Sequence, residues 1–60
     1  MLLLSELLIS HHELDSFYEL VEVIGKVAKE SNERFFRINV KPPFQDTPED
    51  WEDRLEAAFY

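Results

Sequence analysis

Sixty residues with 13 acidic and six basic side chains, a net charge of -7 and no cysteine describe one small acidic domain. That composition excludes a disulfide framework, thiolate zinc sites and thiol nucleophiles, and it disfavours direct nucleic-acid binding, because a phosphate backbone calls for a positive field. With 45% hydrophobic residues, among them five Phe, two Tyr and one Trp, the chain is too apolar for a disordered tail.

A domain this short removes only about 60% of its unfolded surface from water, so oligomerisation or a partner is the expected source of extra stability. Residues 1–9, MLLLSELLI, have an apolar core like that of a signal peptide. They lack a basic leader and a small-residue cleavage site, carry Glu6, and fall far short of the roughly 20 apolar residues of a membrane helix. The expectation is a cytoplasmic protein without membrane attachment, placed in the host cytoplasm if phage-encoded. Leu2, Leu3, Leu4, Leu7, Leu8 and Ile9 fit both the helical and the strand period. Leucine favours a short helix, whereas a strand here would supply a neighbour for the strand expected later.

Residues 10–30 read as the long central helix. Ser10 and Glu13 have capping-box spacing, with Ile9 and Leu14 placed as a hydrophobic staple. Leu14, Phe17, Tyr18, Val21, Ile24, Gly25 and Ala28 follow at helical spacing, opposite Asp15, Glu19, Glu22, Lys26 and Lys29. Leu20, Val23 and Val27 widen the apolar surface to roughly 200° of arc, about twice what a single packed layer needs. Cover from two directions is therefore expected, from this chain, a second copy or another protein. In the homodimer version, Leu3, Leu4, Leu7 and Leu8 join Leu20, Val23 and Val27 in the subunit interface.

His11 and His12, beside Glu13 and Asp15, are the one combination that invites a metal or acid-base reading. Adjacent helical residues point about 100° apart and no third histidine exists, so surface positions at the helix start are expected, with no metal and no cofactor. The single glycine, Gly25, marks either a close backbone approach or a tolerated interior glycine; one glycine also excludes a phosphate-cradling loop. No serine sits in a nucleophile motif, and the carboxylates show no paired arrangement in contrasted settings, so no enzyme activity is expected.

Ser31 and Asn32 favour a turn, ending the helix near Glu30. Residues 34–41, RFFRINVK, alternate Phe36, Ile38 and Val40 on one face with Phe35, Arg37, Asn39 and Lys41 on the other, which predicts a strand. Its backbone needs a partner: the N-terminal leucines, a second copy, or a target's edge strand. Arg34, Arg37 and Lys41 beside Phe35 suggest a minor nucleic-acid contact, though outward cations on an edge strand more simply guard against stray pairing. Pro42 and Pro43 stop the strand.

Thr47 then caps a second helix, with Pro48 at its first position. Trp51, Leu55, Ala58 and Phe59 share one face, and Glu49, Asp50, Glu52, Asp53 and Glu56 share the other. The sequence thus predicts a small α+β domain of a short N-terminal helix or strand, a long central helix, one strand and an acidic C-terminal helix, dimeric or partner-stabilised. Size and charge place it with small acidic binding proteins such as antitoxins, phage-encoded inhibitors, anti-CRISPR proteins and nucleic-acid mimics, an analogy of composition. The expected function is non-enzymatic binding to a basic protein surface through Glu19, Glu22, Asp50, Asp53 and Glu56, anchored by Trp51 and Phe59. The alternative is a homodimerisation or assembly module.

Overall fold

The leucine run divides between both of its possible conformations. In the computed structural model, which describes residues 1–60, Leu2–Leu3 form a strand, β1, and Leu4–Ser10 continue directly as a helix, α1. A turn through His11 leads to α2 at Phe17–Glu30, followed by a second strand, β2, at Phe36–Arg37 and a final helix, α3, at Trp51–Phe59. β1 and β2 pair in parallel, Leu2 opposite Phe36 and Leu3 opposite Arg37, and α1 and α2 supply the crossover that a parallel pair requires. The architecture is α+β, and the N-terminal leucines are the neighbour that the later strand needed.

Helix α2 starts later than the first Ser-x-x-Glu motif implies. Ser10 is the last residue of α1, Ile9 is 77% exposed and closes no staple, and His11 and His12 lie in the turn between helices. The cap is the second such motif. Ser16 accepts the Glu19 N–H at 3.2 Å, and Glu19 accepts the Asp15 N–H at 2.9 Å, a capping box displaced by one residue on its return side. Asp46, far along the chain, adds an acceptor for the Phe17 N–H at 2.8 Å. Asn39 acts likewise at α1, accepting the Ser5 N–H at 3.2 Å and donating to Ser5 Oγ at 2.9 Å, where Leu3 has no side chain able to cap. Both helix starts are thus satisfied from the segment after β2. At its other end α2 stops at Glu30, and Asn32 turns the chain with φ 59°, a left-handed conformation asparagine tolerates.

One core gathers Leu4 and Leu7 from α1, Phe17, Leu20 and Ile24 from α2, and Leu55 and Phe59 from α3. The buried stripe of α2 is therefore centred on Leu20, not on the Tyr18 side, and Tyr18 is 69% exposed. Its two flanks are half-buried. Val27 borders a surface depression shared with Leu2 and Leu7, and Val21 borders another shared with Ala58 of α3. The centre of the broad apolar arc is buried by α1 and α3, and Val21, Val23 and Val27 on its flanks stay half-buried. Of the residues expected at a dimer face, Leu4, Leu7 and Leu20 belong to this core, and Leu8, Val23 and Val27 pack against it half-buried.

The expected eight-residue strand shrinks to Phe36–Arg37, because β1 offers only two residues to pair with. The alternation survives in part: Phe36 and Ile38 pack against the core, Phe35, Arg37, Asn39 and Lys41 are exposed, and Val40 is exposed as well. At Gly25, a Cβ would sit 3.7 Å from the Ala58 carbonyl oxygen, an ordinary contact that does not require glycine.

Candidate protein-binding surface

Helix α3 begins at Trp51, with Asp50 as an N-cap that makes no side-chain capping bond. Thr47, expected as the cap, lies instead in a turn closed by its N–H on the Phe44 carbonyl at 3.2 Å, and its buried hydroxyl has no hydrogen-bond partner in the protein. Pro48 accordingly precedes the helix. The start of α3 relies on acids in its first turn, Glu52 and Asp53, which suit the positive end of the helix dipole.

The proposed aromatic anchors are placed inward. Phe59 is 8% exposed and stacks on Phe36 with ring centroids 5.1 Å apart, while Trp51 is half-buried against the core. A helix on a small domain must spend its largest apolar groups on the one available core, so Phe59 is no surface anchor. The exposed aromatics nearby are Tyr60, 72% exposed with its ring edge-on to Phe59 at 4.9 Å, and Phe35, 66% exposed. Both border a groove of about 400 Å³ between β2 and α3, lined also by Met1, Phe36, Arg37, Ile38, Glu52 and Glu56. The position of Tyr60 was available from its spacing, one helical turn beyond Glu56. Its place on the same groove as Phe35 was not, since nothing local links the two segments.

The acids divide into engaged and free. Glu19 is occupied as the return acceptor of the α2 cap, and Asp50 pairs with Arg54 Nε at 2.9 Å. Glu22 is exposed in a different groove, beside Lys26 and Lys29. Glu52, Asp53 and Glu56 are exposed and belong to none of the three ion pairs of the chain, Met1 with Glu33, His11 with Glu13 and Arg54 with Asp50. The expected patch therefore contracts to the outer face of α3. The Glu13 carboxyl is held below its usual range chiefly by its own backbone N–H, an effect that desolvation opposes and that His11 and His12 reinforce more weakly.

His11 Nδ1 is 3.4 Å from Glu13 Oε1, and no three His, Cys, Asp or Glu side chains are grouped to hold a metal ion. No helix is long and apolar enough to cross a membrane. No family model, curated protein or solved structure matches the chain.

Proposed function

We propose that this protein is a non-enzymatic, acidic binding module that engages a basic surface of another protein, acting as an inhibitor where that surface otherwise holds nucleic acid. The observation that carries the reading is the outer face of α3. Glu52, Asp53 and Glu56 stand exposed and unpaired on a short helix, next to the exposed rings of Tyr60 and Phe35, in a chain of net charge -7. Acids arranged so steer a positively charged partner into encounter, and adjacent aromatic rings supply contact area with few rotatable bonds.

The test is capture of targets from host extract by the intact protein and by a Glu52→Lys/Asp53→Lys/Glu56→Lys variant, with retained proteins identified by mass and the interaction then measured at increasing salt. A basic protein held by the wild type, released by the variant and weakened steeply by salt supports the reading. Retention that ignores both the charge reversal and the salt defeats it.

A further inference from the structure

We infer that the outer edge of β2 receives an extended, basic segment of the partner by strand addition, an inference that rests on the acidic-module reading above. In a parallel pair, hydrogen bonds to one neighbour leave from alternate residues. Leu2 donates to the Phe35 carbonyl, which fixes that edge of β2 as the one facing β1. The backbone groups of Phe36 and Ile38 therefore point to the opposite edge. There the Phe36 N–H meets only the Tyr60 hydroxyl, at 3.4 Å, and the Ile38 N–H makes no hydrogen bond within the chain.

This open edge runs along the groove between β2 and α3. Glu52, Glu56 and Tyr60 follow one another by single helical turns and form one wall roughly 12 Å long. Residues 35–38 form the facing wall, roughly 10 Å long. An added strand would offer alternate side chains to the α3 wall, and successive side chains on one face of a strand repeat at about 6.6 Å, close to the roughly 6 Å rise between Glu52 and Glu56. Two cations at alternate positions of the incoming segment match the two carboxylates.

Charge decides the occupant. A second copy would bring another -7 overall, and a symmetric β2 pair would set Arg34, Arg37 and Lys41 against themselves, whereas a separate strand can place lysine or arginine opposite the carboxylates and away from Arg37. Arg37, on the lip of the groove, is the one cationic side chain in the lining and disfavours a second basic residue at its own position, while the Met1 ammonium, also at the groove, is paired with Glu33 at 3.0 Å. The exposed Tyr60 hydroxyl is a weak occupant of the edge, and an incoming carbonyl displaces it from the Phe36 N–H.

The experiment titrates the intact, isotope-labelled protein with a synthetic octapeptide of alternating lysine and valine. Two controls replace the lysines by glutamate or place proline at the centre. Strand addition predicts saturable shifts at the amides of residues 35–38 and Tyr60, with slowed hydrogen exchange at Ile38. Binding falls at least tenfold with either control and with the Glu52→Lys/Glu56→Lys variant. Equal binding of the lysine and proline peptides, with shifts confined to α3, overturns strand addition while leaving the acidic-face reading intact. A dimer in sedimentation that protects Ile38 without peptide also overturns it, by assigning the edge to a second copy. Loss of salt-sensitive target retention, by contrast, removes the parent reading.

Discussion

Helices α2 and α3 are both amphipathic, yet they use their surfaces in opposite ways. α2 is anchored at its start by Ser16, Glu19 and Asp46 and gives Phe17, Leu20 and Ile24 to a core shared with α1 and α3. α3 has no side-chain cap, gives Leu55 and Phe59 to the core, and turns unpaired acids outward. In so small a domain the central stripe of each helix goes to one shared core, and the free carboxylates stay on the outer face of α3.

Truncation inside α2 is the strongest way to break this contrast. Eight of 60 residues are buried, so Leu20→Ala, at a fully buried position, is expected to cost about 2–5 kcal/mol and leave little folded protein at room temperature. Circular dichroism during urea titration reads this; a loss under 1 kcal/mol would mean that α2 is not enclosed as described. Removing the remote cap by Asp46→Ala is expected to cost about 1–3 kcal/mol, because the acceptor on the Phe17 N–H is a carboxylate at the positive end of a helix. The same titration checks it, and an unchanged midpoint would show that α2 does not depend on the later segment.

The two helix starts give a sharper pair. Ser16→Ala is expected to cost about 1 kcal/mol, while Thr47→Val is expected to cost nothing measurable, since the Thr47 hydroxyl caps no helix and has no partner in the protein. Similar losses for both would restore Thr47 as a cap. Gly25→Ala should raise stability by up to about 1 kcal/mol, because alanine is the better helix former and its Cβ meets only an ordinary contact with Ala58. A fall in melting temperature would mean that the α2–α3 approach is tighter than 3.7 Å implies.

The smallest effect belongs to the turn outside both helices. Glu13 has a lowered carboxyl pKa in the folded state, so its contribution is present above the unfolded value and fades as pH falls through the folded one. Its full exposure keeps that contribution slight. NMR shifts of Glu13 followed against pH should show a midpoint below the ordinary glutamate value, and a midpoint at that value would show that the Glu13 backbone bond is not made.

The sequence by itself determined the acidic character, the end of α2 at Ser31 and Asn32, the inward face of α3 and the outward face of residues 35–41. These follow from composition, local turn chemistry and periodicity, which act within a few residues. Tertiary structure decided which Ser-x-x-Glu motif caps α2, since Ser10 and Ser16 offer the same local chemistry. Phe17 burial and the Asp46 carboxylate favour the second, and the Asp46 contact lies beyond the reach of any local pattern. It also settled that the leucine run is strand and helix in succession, that the strand pair is two residues long, and that α1 and α3 bury the centre of the wide face of α2. Those outcomes depend on which segments meet, and side-chain periodicity specifies the width of an apolar surface without specifying what will cover it.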